Sequence, residues 1–145
     1  MINHTIATAQ ICNAPYGRFG YTYWVDRQSA LDGIAERCTT INGSLIISHN
    51  YTGSFYLPNV RNLTGVLRWD IYTFDTEPTL PSVDLPDLEY VGDDLMLSTI
   101  PTLRNVSMPK LKTVRSDISV DYIYDADFRS LKKVKSIVLN GNMSR

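Results

Sequence analysis

A repeat of 20 to 28 residues constrains this chain more than any other feature of its sequence. Three ungapped copies, at residues 57–69, 85–97 and 108–120, share the frame Leu/Met-Pro-x-Leu/Val-x-x-Leu/Val-x-x-x-Leu/Ile-x-apolar. A degenerate copy fits from Cys38 onward, and another spans residues 128–139 with one residue deleted. Successive copies begin 22, 28, 23 and 20 residues apart, which is typical of a solenoid with one coil per repeat.

Each copy ends in two apolar residues separated by one position, the period of a strand with one buried face. The pairs are Leu45/Ile47, Leu67/Trp69, Leu95/Leu97, Ile118/Val120 and Ile137/Leu139. The position three residues further on is also expected to point inward, after the chain has turned. It holds Asn50, Tyr72, Ile100, Ile123 and Asn142. The repeat therefore predicts a mainly β fold, a parallel β-solenoid of about five coils.

Residues 12–37 do not fit the repeat and predict an N-terminal cap. Residues 19–25 suggest a strand, and Asp26 or Ser29 is placed to cap a short helix through Ala30 to Ala35. Such a helix would cover the end of the apolar column. We expect a disordered or processed start at residues 1–11, the cap, and a solenoid over residues 38–145. The last strand is expected to be an open edge, with the solenoid cut short at the C-terminus.

Six Asn-x-Ser/Thr sequons indicate a secreted glycoprotein. Ser and Thr fill 25 of 145 positions, so chance predicts only about one or two sequons among nine asparagines. The stronger glycosylation candidates, at turns or between coils, are Asn42, Asn62 and Asn105. The weaker candidates are Asn3, Asn50 and Asn142. Of these, the last two occupy the inward slot and are expected to be buried.

The two ends of the chain carry no targeting signal. Residues 1–10 lack the basic and apolar stretches of a secretory leader, and residues 140–145 lack the hydrophobic tail that directs lipid anchoring. Extracellular localisation therefore needs a leader outside this sequence. The alternative is a cytosolic protein whose sequons arose by chance.

The only two cysteines, Cys12 and Cys38, flank the cap. A bridge between them would tie the cap to the first coil and contribute about 3–4 kcal/mol by closing the intervening loop. It would also agree with the secreted interpretation. The alternative is two free buried thiols that pack as small apolar groups.

These residues resemble a known family. Cys12, the run from Cys38 to Ile47 and the Leu/Met-Pro copies resemble the receptor L-domain, a leucine-rich-repeat-like solenoid. More closely, they are similar to the fungal GPI-anchored surface proteins of cell-wall organisation and sporulation, over residues 12–142. The resemblance implies a right-handed β-solenoid, secretion, N-glycosylation and a role in the fungal cell wall without catalysis. The Ser/Thr-rich stalk and anchoring tail of that family are missing, so membrane anchoring is not carried over.

Composition excludes several other classes. The net charge of −1 argues against a nucleic-acid binder, and no apolar run approaches the ~20 residues of a membrane span. Two cysteines and two histidines are too few for a typical zinc site. Neither His4 nor His49 belongs to a nucleophile motif, and no phosphate-binding loop is present. We therefore expect no enzyme activity, no cofactor and no metal.

Acidic residues crowd the middle coils, where most occupy turn or outward slots. A glycosidase would need two facing carboxylates, which makes a carbohydrate-active solenoid the last-ranked alternative. A second group suggests calcium but lacks the Gly and Glu of an EF-hand loop. This group is Asp117, Asp121, Asp125 and Asp127.

Aromatic residues follow the strands at short offsets. The candidates for a ligand-binding face are Tyr72, Phe74, Tyr122 and Tyr124. Exposed, they would stack on sugar rings or contact another protein, and turned inward they would pack in the core. Eight of the 14 basic residues lie beyond residue 105, including Lys132, Lys133 and Lys135. They would attract an acidic partner or wall polymer, or simply fill outward repeat positions.

Overall fold

The structure is a computed structural model that describes residues 9–71 and 76–141, with only the backbone of Tyr122. These residues form sixteen strands and one helix, α1 (Gln28–Arg37). The strands are β1 (Ile11–Asn13), β2 (Tyr16–Gly17), β3 (Gly20–Val25), β4 (Thr40–Asn42), β5 (Ser44–Ile47), β6 (Phe55–Tyr56), β7 (Asn62–Leu63), β8 (Leu67–Trp69), β9 (Ser82–Asp84), β10 (Tyr90–Val91), β11 (Leu95–Leu97), β12 (Asn105–Ser107), β13 (Thr113–Val114), β14 (Asp117–Ile123), β15 (Asp125–Asp127) and β16 (Ser136–Gly141).

The strands build three sheets that the chain visits in turn. Sheet 1 has the order β1-β4-β7-β10-β13, sheet 2 the order β16-β14-β11-β8-β5-β3-β2, and sheet 3 the order β15-β12-β9-β6. From β4 to β15 each successive set of three strands contributes one strand to each sheet, and neighbouring coils pair in parallel. The expected mainly β solenoid of about five turns is thereby confirmed.

The core lies between the three sheets, and the repeat places it there. The apolar pairs of the first four coils, from Leu45/Ile47 to Ile118/Val120, are buried, as alternation predicts. Burying one such side chain stabilises the fold by about 1.5–3 kcal/mol. The pair Ile137/Leu139 on β16 is exposed because β16 is the last strand of sheet 2.

The inward slot after each strand is occupied as predicted by Ile100 and Ile123, which are both buried. In the first coil the prediction is wrong, because Asn50 is exposed and the next residue, Tyr51, is buried instead. The Ser48 hydroxyl donates to Asn50 Oδ1 at 2.6 Å, which closes a local turn at the surface. The Tyr51 ring then turns inward beside Phe55, with ring centroids 5.8 Å apart. Tyr72 and Asn142 lie outside the described residues.

The N-terminal segment continues the solenoid rather than lying apart from it. Strand β1 pairs in parallel with β4, and β3 pairs in parallel with β5, so both extend existing sheets. Helix α1 takes the third side and packs against β6, where it buries Leu31, Ile34 and Ala35. The predicted helical cap is therefore present.

The helix begins differently from the prediction. Its N-cap residue is Arg27, without a side-chain capping bond, rather than Asp26 or Ser29. The Asp26 carboxylate instead accepts two bonds from the Arg27 guanidinium at 3.0 Å. The Gln28 side chain bonds both the amide and the carbonyl of Tyr56, which fixes the start of α1 to β6.

Cys12 and Cys38 form the predicted disulfide, with Cα atoms 5.6 Å apart. Cys12 pairs with Ile41 in the register of β1 and β4, and Cys38 directly follows α1. The bridge therefore joins sheet 1 to the end of the helix, at the N-terminal end of the core.

Candidate functional site

The outward face of sheet 2 carries a row of large side chains, one from each of β3, β5, β8 and β11. Trp24 lies opposite Ile46, Ile46 opposite Arg68, and Arg68 opposite Met96. Because side chains alternate along a strand, Val25 points into the core and Trp24 points outward. Trp24 remains 49% exposed, whereas Ile46 is buried between its two neighbours in the row. The row therefore exposes the indole of Trp24 next to the buried apolar side chain of Ile46.

Phe19 precedes β3 and joins this row. Its ring meets Trp24 edge to face, with centroids 6.4 Å apart at 83°. The guanidinium carbons of Arg18 and Arg68 lie 5.3 and 5.1 Å from the centroid of the Phe19 ring. Such cation–π contacts stabilise exposed sites by about 0.5–1 kcal/mol each. They hold Phe19 in place beside the indole.

A pocket of about 340 Å³ opens beside Trp24 at the end of β3 and β5. Because these strands run in parallel, the residues that follow them meet at one edge of the sheet. The lining residues are Trp24, Asp26, Ser48, His49 and Asn50. We call this the Trp24 pocket. It combines one aromatic face with a carboxylate, a hydroxyl, an imidazole and an amide.

The polar groups of the Trp24 pocket are held by their neighbours. A hydrogen bond from the Arg27 guanidinium keeps the pKa of Asp26 below its usual value, so its carboxylate is ionised at neutral pH. Ser48 donates its hydroxyl hydrogen to Asn50 Oδ1, and its own backbone N–H donates to the Val25 carbonyl at 2.8 Å. These bonds position the hydrogen-bonding groups at the pocket before any ligand arrives.

The aromatic residues selected from the sequence lie elsewhere. Tyr124 is 62% exposed, with the Arg104 guanidinium 5.3 Å from its ring centroid, and it directly precedes β15 of sheet 3. Tyr72 and Phe74 lie outside the described residues, as does the side chain of Tyr122. The sequence predicts a strand at residues 19–25, but no repeat or motif points to Trp24 as a functional residue. The sequence does contain one indication: Trp24 and Val25 are neighbours in a predicted strand, so one side chain faces inward and the other outward.

The sequons that the structure describes differ in accessibility. Asn42, Asn50 and Asn105 are exposed, whereas Asn62 is half-buried and its amide donates to the Thr40 hydroxyl at 3.2 Å. The Asn42 amide donates to Asn13 Oδ1 at 2.9 Å across β1 and β4. Asn50, which the repeat predicts to be buried, is therefore exposed, and its side chain lies at the Trp24 pocket. Asn3 and Asn142 lie outside the described residues.

Some acidic residues of the middle coils join neighbouring coils. The Asp87 carboxylate accepts the Asn59 N–H at 2.8 Å and the Lys110 ammonium at 3.1 Å. Asp94 accepts the Asp117 N–H at 3.0 Å. Asp70 is fully buried.

Three of the four aspartates considered for calcium serve local contacts. Asp117 accepts the Ser136 hydroxyl, Asp121 accepts the Asn140 amide, and Asp127 pairs with Arg129. Within residues 9–71 and 76–141, no three His, Cys, Asp or Glu side chains are grouped so that they could hold a metal ion.

Comparisons with family models, curated proteins and solved structures give no match to this chain. In the described part of the chain, no helix has the length and apolar character needed to cross a membrane. The function must therefore be argued from the residues and contacts above.

Proposed function

We propose that this protein is a non-enzymatic, secreted surface glycoprotein whose solenoid binds carbohydrate at the Trp24 pocket. The observation that carries the proposal is the half-exposed indole of Trp24 beside a pocket of about 340 Å³ with a polar lining. Small-molecule sites typically combine an apolar wall with a few positioned polar groups. The Trp24 pocket has both on a rigid pair of strands.

The chemistry of the pocket suits a sugar ring. One face of a pyranose presents C–H groups that pack against an aromatic ring, while its edge presents hydroxyl groups. The indole of Trp24 supplies the flat surface. Asp26 supplies an ionised acceptor, and Asn50 an amide that both donates and accepts. Because the pocket is open, we expect it to take a unit of an accessible chain, such as a cell-wall polysaccharide.

Three features support an extracellular location. The Cys12–Cys38 disulfide suits an oxidising compartment, and disulfides are rare in the cytosol. Asn42 and Asn105 present their sequons at the surface, away from the Trp24 pocket. The third feature is the resemblance of the sequence to fungal cell-wall proteins of the receptor L-domain type. Together they favour a protein of the fungal wall that binds its polymers and contributes to wall organisation.

The proposal that the protein is not an enzyme depends on its carboxylates. Glycoside hydrolysis requires a pair of carboxyl groups flanking the bond that is cleaved. Asp26 is the only carboxylate among the residues that line the Trp24 pocket in the described chain. Asp87 and Glu89 are engaged by Lys110 and Lys112 of the neighbouring coil. A binding function needs only the groups that the pocket supplies.

The test is binding to insoluble β-glucan, chitin and mannan, with tryptophan fluorescence as a second readout on soluble oligosaccharides. We expect one of these polymers to bind, and Trp24→Ala to weaken binding by at least about tenfold, since a stacked aromatic ring contributes about 1–3 kcal/mol. Tyr124→Ala is the matched control, because it removes an exposed aromatic ring next to sheet 3, far from the Trp24 pocket. Equal losses in both variants, or binding to none of the polymers, would contradict the proposed function.

A further inference from the structure

Strand β16 forms the end of sheet 2 that lies furthest from the Trp24 pocket. It pairs in parallel with β14, and no described residue pairs with its other edge. Its backbone groups on that edge can therefore accept another strand. Ile137 and Leu139, which occupy the inward slots of the repeat, are 43% and 41% exposed. This end thus offers both a strand edge and apolar side chains.

Four basic residues are among those that line a cavity of about 440 Å³ beside β13 and the segment that leads into β16. Its apolar walls are Val114 and Val134, and its charged residues are Arg115, Lys132, Lys133 and Lys135. Among the described residues, none of these four cations is in an ion pair. The cavity beside the segment that leads into β16 therefore has four basic residues, whereas Asp117 and Asp121 of β14 accept hydrogen bonds from Ser136 and Asn140 of β16 itself.

The preceding coils show how this column of the repeat is normally neutralised. Lys110 pairs with Asp87 of the coil below it at 3.1 Å, and Lys112 pairs with Glu89 at 3.5 Å. Lys132 continues the column one coil further, where its backbone N–H donates to the Lys112 carbonyl at 2.9 Å. In this column Lys132 therefore follows Lys112, so that a second lysine stands where the alternation of charges would place a carboxylate. No described carboxylate pairs with Lys132, and a carboxylate that approached along the edge of β16 where no described residue pairs would balance its charge.

We propose that the β16 end binds an extended, acidic segment of a partner protein, which adds as the next strand of sheet 2. Its alternate apolar side chains would cover Ile137 and Leu139, and its carboxylates would lie over Lys132 and Lys135. Strand addition of this kind takes affinity from backbone hydrogen bonds and specificity from the side chains. A second copy related by a two-fold axis is disfavoured, because it would bring the same cations together.

The experiment measures binding of a synthetic peptide that copies residues 87–97 of this chain. This peptide has four carboxylates and the alternating pair of the repeat. We expect it to bind and to protect the amides of β16 from hydrogen exchange. A peptide with its carboxylates replaced by amides should bind at least about tenfold more weakly, since charge complementarity is removed. N-methylation of alternate backbone amides should abolish binding, because it removes the donors of the added strand.

The matching protein variant is the double substitution Lys132→Glu and Lys135→Glu, at exposed positions. It should weaken binding of the acidic peptide by at least about tenfold, whereas Arg37→Glu at the other end of the chain should leave it unchanged. Unfolding by urea verifies that each variant is folded. Equal affinity for the acidic and neutral peptides, or binding that survives N-methylation, would overturn the proposal. So would concentration-dependent self-association that protects β16, since a second copy would then be the occupant.

Discussion

Cys12 and Cys38 close the N-terminal end of the core, and both occupy slots that apolar residues fill in the later coils. Cys12 lies opposite Ile41 in sheet 1, in the column that Leu63, Val91 and Val114 continue. Cys38 holds the fourth position of the repeat, where Val60 stands in the next copy, and it is fully buried. A covalent bond thus takes the place of apolar packing where the stack of coils begins.

Removing this bond should destabilise the whole solenoid. The two cysteines are 26 residues apart, and a loop of that size contributes about 3–4 kcal/mol in the chain-entropy model. We expect the double variant Cys12→Ala and Cys38→Ala to lose that amount in urea unfolding. The unmodified protein should lose a similar amount after reduction. A loss below about 1 kcal/mol in both cases would show that the unfolded chain is not constrained by the bridge.

The close stacking of the coils predicts a strong effect at Gly92. A Cβ atom there would overlap the carbonyl oxygen of Thr64 in the coil below. Because backbone cannot move aside cheaply, Gly92→Ala should cost about 1–3 kcal/mol. Gly33→Ala in α1 is the control, since its Cβ would come no nearer than 4.0 Å to Arg37 Nη2. That change should instead stabilise the helix by about 0.5–1 kcal/mol, measured by the same urea unfolding.

Asp87 should make stability depend on acidic pH. Burial raises its pKa, but the Asn59 N–H, the Lys110 ammonium and the charge of Arg61 outweigh burial and lower it overall. Its stabilising effect is therefore complete above the pKa of the unfolded chain, about 3.9, and is lost as the pH falls through the lower folded value. Asp87→Asn should cost about 1–2 kcal/mol at pH 7 and progressively less below about pH 4.

The control for this pH dependence is Asp93→Asn, which changes an exposed carboxylate. It should alter the free energy of unfolding by less than about 0.5 kcal/mol at either pH. A difference between Asp87→Asn and the unmodified protein that stays constant from pH 7 to pH 2 would contradict the assignment.

Tyr51 should make the stability of the protein depend on alkaline pH. Burial, assisted by the charges of Asp32 and Asp26, raises the pKa of Tyr51 to about 12 from 10.0. A raised pKa means that the stabilising effect is present below about pH 10 and is lost as the pH rises towards 12. Tyr51→Phe removes the hydrogen bond to the Ser54 carbonyl and should cost about 1 kcal/mol at pH 7.

The measurement is urea unfolding of the Tyr51→Phe variant and the unmodified protein at pH 7, 9.5 and 11. The difference between the two proteins should shrink from pH 9.5 to pH 11, because only the unmodified protein loses stability through this group. A constant difference over that range would mean that Tyr51 ionises equally readily in the folded and unfolded chains.

Tyr51 is buried in the slot that the repeat predicts for Asn50, and the repeat alone could not predict this. The repeat assigned the inward slot to Asn50 by counting three residues from Ile47. The structure moves the slot by one residue, because the buried Ser48 hydroxyl donates to the exposed Asn50 side chain and closes a turn there. A fixed period cannot anticipate that local bond. The exposure of Trp24 could not be predicted from the repeat either, because Trp24 lies outside the repeat copies. Its exposure depends on which side chains cover the outward face of sheet 2.

The amino-acid sequence by itself determined the solenoid and its apolar columns, because these follow from spacing along the chain. A regular period places each Leu, Ile or Val on the same face of successive coils, whatever the details of the turns. The tertiary structure alone decided which residues meet across coils. Asp87 and Lys110 are 23 positions apart, and their contact depends on the register of the stacked strands. The Trp24 pocket likewise exists only because β3 pairs with β5, which brings Trp24 to the residues that follow Ile47.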